Sequence, residues 1–83
     1  MNLQIGNLYK TKHSRRLNQQ PEPIGKIIER YIEQDVLVLL IDFYLEPRTS
    51  VHFSKFKVLA ENGDIGWILS LLNPEDLFIE ESE

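Results

Sequence analysis

Apolar and polar positions along the chain predict a succession of short β-strands. The longest apolar run is Val36–Ile41, six residues without alternation, which is typical of a strand covered on both faces. Asp42-Phe43-Tyr44 continues this run toward a rim. Residues 5–10 predict an earlier strand, in which Gly6-Asn7 allows a bend. We therefore expect a first strand over residues 5–10 and a central strand over residues 36–44.

The segment between these two strands begins with a long polar stretch. Residues 11–23 are mostly polar or basic, and the stretch ends with Pro21 and Pro23. Proline fixes its own φ and biases the preceding residue toward extended backbone. The pattern predicts an irregular loop over residues 11–23, the kind of segment in which binding residues often lie.

Residues 24–34 allow two interpretations. Apolar side chains recur there at helical spacing, namely Ile24, Ile27, Ile28, Tyr31 and Ile32. Isoleucine and tyrosine nevertheless favour strands, Gly25 is unfavourable in a helix, and Glu33-Gln34-Asp35 fits a hairpin turn. We favour a strand over residues 24–32, with a helix over residues 24–34 as the alternative, which would make the fold α+β.

The apolar positions change phase near Ser54-Lys55. Val51 and Phe53 have one parity, whereas Phe56, Val58 and Ala60 have the other. A bulge or a tight bend at Ser54-Lys55 would reset which side of the strand faces inward.

Asn62-Gly63 is the strongest local signal, because both residues tolerate the positive φ that hairpin turns require. A two-residue turn places Trp67 opposite Val58, on a wholly apolar face. A three-residue loop over residues 61–63, with Gly63 as a bulge, places Trp67 beside Lys57 on the opposite face. The register therefore decides whether Trp67 belongs to the core or to the surface.

The sequence Asn73-Pro74-Glu75-Asp76 is typical of a helix start. Asn73 can cap the helix, Pro74 suits its first position, and carboxylates suit its first turn. We predict one helical turn near residues 74–77, followed by a last strand over residues 77–79 and an acidic tail over residues 80–83.

The order of these elements resembles that of a small SH3-like barrel. Phe56-Lys57-Val58 followed by residues 62–68 is similar to the late hairpin of bacterial SH3-type domains, with its Asn-Gly turn and Gly-Trp-aliphatic step. Gly25-Lys26-Ile27-Ile28 leading to Val36-Leu37-Val38 is similar to strands of the short SH3-like barrels of bacterial and phage genomes. The resemblance implies an all-β, five-stranded barrel forming a single domain over residues 1–83. It also implies that Ile68 points inward and Trp67 is partly exposed.

Composition restricts the class of protein. Eighty-three residues make one small domain, and 42% hydrophobic with 27% charged residues is ordinary for a folded globule. Cysteine is absent, which excludes a disulfide framework and a thiolate zinc site. No apolar run approaches the roughly 18 residues of a membrane span, and the first residues lack the features of a secretory signal. We expect a soluble, cytoplasmic protein without a membrane partner.

Charge is unevenly distributed along the chain. The total is −4, which argues against a protein that coats duplex nucleic acid. Residues 10–30 carry a local charge of +4, and residues 75–83 a charge of −5. An exposed basic run is usually only a solvated surface, yet basic loops of small barrels can bind single strands. Single-stranded nucleic-acid binding is therefore the alternative function, with these candidate residues: Lys10, Lys12, Arg15, Arg16, Lys26 and Arg30.

Constellations of catalytic residues are not evident in the sequence. The five serines lack a Gly-x-Ser-x-Gly elbow, and there is no glycine-rich phosphate motif. His13 and His52 lie in different elements without the spacing of paired metal ligands. Asp42 ends the central strand, where a carboxylate usually accepts a hydrogen bond from a backbone amide. We predict a protein without enzymatic activity, cofactor or metal.

Aromatic side chains offer the better candidate site. The resemblance implies docking of partners on aromatic residues beside the loop after the first strand, and Tyr9, Tyr44 and Trp67 are the candidates by position. The four phenylalanines are assigned to packing, at positions 43, 53, 56 and 78. We expect an interaction or structural module that binds an unidentified protein partner. The apolar surface of Val36–Ile41 and exposed strand edges could also be covered by a second copy, making a homo-oligomer.

Overall fold

A computed structural model of the chain describes residues 2–20, 30–47 and 52–80. Within these residues the fold is mainly β, with one short helix. A five-stranded antiparallel sheet has the order β6-β5-β4-β1-β7, and β2 and β3 form a second, two-stranded sheet. The strands and the helix are these: β1 (Leu8–Thr11), β2 (Arg15–Leu17), β3 (Arg30–Ile32), β4 (Leu37–Tyr44), β5 (Ser54–Ala60), β6 (Ile65–Ser70), α1 (Pro74–Leu77) and β7 (Phe78–Glu80). The predicted all-β class and the predicted helical turn near residues 74–77 are confirmed.

One face of the large sheet, here called the inner face, carries the core. Along β5, alternate residues from Ser54 to Ala60 are buried, as expected for a strand with one covered face. The rings of Tyr9 and Phe56 lie 5.8 and 5.5 Å from the ring of Phe78. The buried apolar residues are Tyr9, Leu17, Ile32, Val38, Leu40, Phe56, Val58, Ala60, Ile68, Leu77 and Phe78.

The β2–β3 hairpin packs against the large sheet at β6. The Asn18 and Trp67 backbones exchange two hydrogen bonds of 2.8 and 2.7 Å. Leu17, just before this bridge, is buried in the core. The close approach requires a glycine at position 66, because a Cβ there would lie 2.7 Å from both the Asn18 carbonyl oxygen and Leu17 Cγ. The loop predicted over residues 11–23 is therefore wrong at Thr11, which ends β1, and at Arg15–Leu17, where tertiary packing orders a polar segment into a strand.

The segment with two interpretations ends as a strand. Arg30–Ile32 forms β3, paired with β2 in antiparallel register. The alternative helix over residues 24–34 is wrong at these three residues, because Ile32 is buried as a strand residue. Residues 24–29 lie outside the described residues.

The late hairpin has the bulged register. Lys57 pairs with Trp67, and Phe56 pairs with Ile68. The loop closes by a 2.9 Å hydrogen bond from Gly63 N to the Ala60 carbonyl, with Gly63 at a φ of +91°. This is the predicted three-residue loop over 61–63, with Ile68 buried and Trp67 half-buried.

Two expectations about the strands are wrong. The irregularity lies in β4, between Leu40 and Asp42, whereas β5 pairs regularly from Ser54 onward. Phe53 lies before the first residue of β5, so its side chain need not follow the alternation of that strand and no bulge at Ser54-Lys55 is required. Val51 lies outside the described residues. The prediction that the Val36–Ile41 run is covered on both faces is also wrong. Val38 and Leu40 are buried on the inner face, whereas Leu37, Leu39 and Ile41 are only half-buried.

The C-terminal elements follow the prediction with one exception. Pro74 occupies the first turn of α1, and Asn73 precedes it with extended backbone. Asn73 caps through its carbonyl, which accepts a 2.9 Å hydrogen bond from Asp76 N. Its side chain makes no capping bond, so the predicted side-chain cap is wrong. Strand β7 then pairs Phe78 with Thr11 of β1, which confirms a closing strand.

The helix found in the described part of the chain has four residues. Within residues 2–20, 30–47 and 52–80, no helix has the length and apolar character that crossing a membrane requires.

Candidate interaction surfaces

The three aromatic residues predicted as a partner site do not share one surface. Tyr9 is 1% exposed and lies in the core, and its hydroxyl accepts a 2.9 Å hydrogen bond from Gln4 N. Its position in β1 directs the side chain to the inner face, so the prediction that Tyr9 belongs to the partner site is wrong. Tyr44 is exposed at the end of β4, and Trp67 lies on the outer face of β6, with the Lys57 ammonium 5.9 Å from its ring centroid.

The phenylalanine assignments are confirmed at three positions. Phe56 and Phe78 are fully buried, and Phe43 packs against the core from a half-buried position. Phe53 is 37% exposed, so its assignment to packing is wrong. It lies immediately before β5.

The candidate groups for metal and acid chemistry lie apart. His13 and His52 are both exposed and belong to different segments. The described part of the chain contains no cluster of three metal-ligating side chains. The Asp42 carboxylate accepts a 2.9 Å hydrogen bond from Phe43 N, which is the local structural role predicted for it.

The predicted basic residues also fail to converge on one surface. Lys12 Nζ donates to the Glu75 carbonyl. Arg30 forms an ion pair of 3.6 Å with Asp64 and donates to the Ile65 carbonyl. Half-buried Lys10 and Arg15 lie on separate strands, Arg16 is exposed, and Lys26 lies outside the described residues.

Arg16 forms the one basic and aromatic pair of this set in the described strands. It pairs across the β2–β3 hairpin with Tyr31, which is exposed. Cross-strand partners share a face of the sheet, so this guanidinium and this ring point to the same side. The sequence pattern indicates Tyr31 only as one of the apolar residues at helical spacing in residues 24–32.

A cleft lies at one end of the large sheet and has a volume of about 360 Å³. We call it the end cleft. Three segments form it: the one after β4, the one around the start of β5, and the one after β6. Its lining residues are Leu45, Glu46, Pro47, His52, Ser54, Leu71, Leu72, Asn73 and Pro74.

Two serine hydroxyls hold the walls of the end cleft in place. Ser54 Oγ accepts a 3.0 Å hydrogen bond from Glu46 N, and Ser70 Oγ accepts one of 3.0 Å from Leu72 N. Both serines are buried at the inner face. The backbone on each side of the cleft is therefore tied to the sheet.

The end cleft is lined by exposed leucines. Leu71 is 64% exposed, and Leu45 and Leu72 are also exposed. Sequence reasoning missed these residues. The available signal was Leu71-Leu72, two apolar residues standing between a strand and the Asn73-Pro74 helix start.

The outer face of the large sheet carries a second apolar surface. Leu8, Leu39, Leu59 and Ile65 are successive Cα partners across β1, β4, β5 and β6. We call these four residues the leucine row. Antiparallel sheets with a solvated face usually place polar residues on that face, so the leucine row departs from the usual alternation.

Comparisons with known proteins add no relative. No protein-family model matches the chain, and no curated protein or solved structure matches it significantly.

Proposed function

We propose that this chain is a non-enzymatic protein-interaction module whose end cleft binds a segment of a protein partner that carries both large apolar and polar side chains. The observation that carries the proposal is the exposure of Leu45, Leu71 and Leu72 around one concave site. Binding sites combine apolar walls with polar groups that orient the ligand. Polar groups, among them those of Glu46 and His52, form the larger part of the accessible lining of this cleft, so a partner segment needs polar side chains beside its apolar ones.

The energetics favour weak, reversible binding. Covering a half-exposed leucine contributes about 1 kcal/mol, so three contribute about 3 kcal/mol before the costs of association. The walls are already held by Ser54 and Ser70, which reduces the cost of ordering them on binding. A partner segment with two or three large apolar side chains suits this site.

An SH3-like barrel is the architecture that we propose for the module. Support comes from the element order: a first strand, an excursion carrying β2 and β3, three strands joined in sequence, one helical turn and a closing strand beside the first. A fold of this kind hosts many functions, so the site carries the functional argument.

The absence of enzymatic activity is part of the proposal. Among the serines, Ser54 and Ser70 are buried and use their hydroxyls to hold backbone amides.

A peptide-selection experiment tests the end cleft. Peptides selected from a random displayed library on the wild-type protein should carry clustered large apolar residues. Their amide shift changes in NMR should map to the cleft. Leu71→Ser should weaken their binding at least about tenfold, because it removes the most exposed apolar side chain of the site.

Ile5→Ser is the matched control for this experiment. Ile5 is 61% exposed, close to the 64% of Leu71, and does not line the cleft. Both variants should keep the wild-type circular dichroism spectrum. Equal peptide binding by Leu71→Ser and wild type would refute the proposed site.

The Arg16–Tyr31 pair supports the second candidate function, single-stranded nucleic-acid binding. An exposed guanidinium beside an exposed ring can contact a phosphate and stack a base. If this function holds, a fluorescent oligonucleotide should bind at low salt, and affinity should fall as salt rises. Arg16→Ala and Tyr31→Ala should each weaken binding, and no detectable binding at low salt would remove this candidate.

A further inference from the structure

We propose that the outer face of the large sheet binds single-stranded nucleic acid through two aromatic rings and two lysines. The residues are Tyr44, Lys55, Lys57 and Trp67, here called the lysine–aromatic face. The rings stack bases, and the ammonium groups contact phosphates. This inference rests on the second candidate function for its class of ligand, and it assigns that ligand to β4, β5 and β6 rather than to the β2–β3 hairpin alone.

The strand registers place these four side chains on one side of the sheet. Tyr44 of β4 is the Cα partner of Lys55 on β5, and Lys57 is the Cα partner of Trp67 on β6. Lys55 and Lys57 alternate along β5 with Phe56, which is buried on the inner face, so both lysines point outward. Because cross-strand partners share a face of the sheet, the two rings flank the two lysines.

The lysine–aromatic face is accessible, and its charge is opposite in sign to that of the whole chain. Tyr44 is 59% exposed, and the other three residues are half-buried. Asp42, the Cα partner of Lys57, is the acidic residue among the described outer positions of β4, β5 and β6. Two lysines and one aspartate give a local charge of +1, in a chain with a total of −4. Charge complementarity therefore favours a polyanion at this part of the surface.

The dimensions of the lysine–aromatic face suit an extended single strand. Neighbouring β-strands lie about 4.8 Å apart, and alternate residues of one β-strand lie about 6.8 Å apart. The Cα atoms of Tyr44 and Trp67 are therefore separated by about 12 Å, so that each ring can stack a base of its own. Lys55 and Lys57 lie between the rings on β5, beside the phosphates that join the stacked bases. A duplex already covers the faces of its bases, so the ligand is a single strand.

Trp67 is already in contact with a cation on this face. The Lys57 ammonium lies 5.9 Å from the centroid of the Trp67 ring. An exposed cation–π contact stabilises less than a base stacked on an aromatic ring, so a base displaces the ammonium. Lys57 then lies beside the backbone of the bound strand, where a phosphate replaces the ring as its partner.

Trp67 fluorescence tests the stacking directly, because Trp67 is the single tryptophan of the chain. An oligothymidylate of about ten nucleotides is within the site sizes of small barrels. It should quench Trp67 fluorescence at low salt in a saturable titration. Oligoglutamate, a polyanion without bases, should leave the fluorescence unchanged. Equal quenching by the two polyanions overturns the proposal, as does an oligonucleotide that binds without quenching.

Substitution of the rings tests their contribution to affinity. Tyr44→Leu and Trp67→Leu keep apolar bulk without a ring, and each should weaken binding of a labelled oligothymidylate at least about fivefold, as measured by anisotropy. Trp67→Phe retains a ring and should lose less affinity than Trp67→Leu. Phe53→Leu is the control, because Phe53 is 37% exposed and lies before β5, outside this face. Wild-type affinity in both leucine variants of the face overturns the proposal.

Salt dependence tests the phosphate contacts. Each phosphate contact on a single strand contributes about −0.7 to the slope of log affinity against log salt concentration. Lys55→Gln/Lys57→Gln should therefore reduce the magnitude of the slope by about 1.4. Lys12→Gln is the control, because the Lys12 ammonium donates to the Glu75 carbonyl of α1, and it should keep nearly the wild-type slope. An unchanged slope in the double variant overturns the role of the two lysines.

The same variants separate this inference from the functions proposed above. Binding that is lost in Arg16→Ala or Tyr31→Ala but kept in Tyr44→Leu and Trp67→Leu leaves the hairpin as the binding site and overturns the lysine–aromatic face. No binding of the oligonucleotide at low salt removes both. Peptide binding at the end cleft should be unchanged in Trp67→Leu, so the cleft is tested independently.

Discussion

Thr11 shows how one side chain can join distant segments of this small protein. It is buried at the end of β1, and its hydroxyl donates a 2.6 Å hydrogen bond to the Glu33 carbonyl. The same oxygen accepts a 3.0 Å hydrogen bond from Val36 N. The hydroxyl therefore adds to two backbone hydrogen bonds that join the turn between β3 and β4 to β1, from Thr11 N to the Val36 carbonyl and from Asp35 N to the Thr11 carbonyl. The sequence pattern placed Thr11 only at the start of a polar loop.

Two replacements of Thr11 distinguish the contribution of its hydroxyl to stability from the contribution of its side-chain shape. Thr11→Val keeps the shape but leaves Val36 N and the Glu33 carbonyl without this partner. We expect a loss of about 2 kcal/mol in the free energy of unfolding, measured by urea denaturation. Thr11→Ser keeps the hydroxyl and should lose less than Thr11→Val. The opposite order would show that packing of the methyl group matters more.

A side chain at Gly66 would clash with the β2–β3 hairpin. Gly66→Ala places a methyl group 2.7 Å from the Asn18 carbonyl oxygen and from Leu17 Cγ. We expect a loss of about 2 kcal/mol or more in unfolding free energy, because backbone must move to relieve the clash. Gly63→Ala is the comparison: its φ is +91° but nothing lies within 4 Å, so about 1 kcal/mol of backbone strain is expected. Equal stability of Gly66→Ala and wild type would contradict the close approach.

At the scale of elements, the β2–β3 hairpin shows the limits of local patterns. Its strand β2 has the sequence Arg-Arg-Leu, with one apolar residue. Such a segment has little strand preference of its own. It is ordered because Leu17 enters the core and Asn18 pairs with Trp67. A polar stretch can therefore become a strand when another element supplies the backbone partners.

Docking of this hairpin should depend on Leu17. Leu17→Ala leaves a cavity under the hairpin and should reduce unfolding free energy by about 3 kcal/mol. Hydrogen exchange at Asn18 and Trp67, whose amides form the bridge, should become faster. Arg16→Ala, one residue earlier and exposed, should change stability by less than about 0.5 kcal/mol. Similar losses in the two variants would contradict the anchoring role of Leu17.

At the scale of the whole molecule, two apolar surfaces remain at the outside of a very small core. The end cleft faces one end of the sheet, and the leucine row crosses the outer face. A chain of 83 residues buries a smaller share of its surface than larger domains do.

Most of the fold was predictable from local signals. Alternation of Phe56, Val58 and Ala60 predicts a one-sided strand, and Asn62-Gly63 predicts a hairpin turn because positive φ is needed there. Pro74 after Asn73 predicts a helix start. These features depend on residues close together in the chain, where backbone preference and side-chain period act directly.

The candidate sites were much less predictable. Tyr9 looked like a surface aromatic, yet the pairing of β1 between β4 and β7 buries it. The end cleft joins Leu45 to Leu71 and Leu72, which local patterning does not connect. The leucine row requires the registers of three strand pairs at once.

Local backbone chemistry thus accounts for the strand class, the bulged Asn-Gly loop and the single helical turn of this protein. Packing between distant segments accounts for the β2–β3 hairpin, the bulge in β4, the burial of Tyr9 and both apolar surfaces. The physical reason is the range of the forces concerned. Turn preference and side-chain alternation act over a few neighbouring residues, whereas burial and close approach depend on which segments the folded chain brings together.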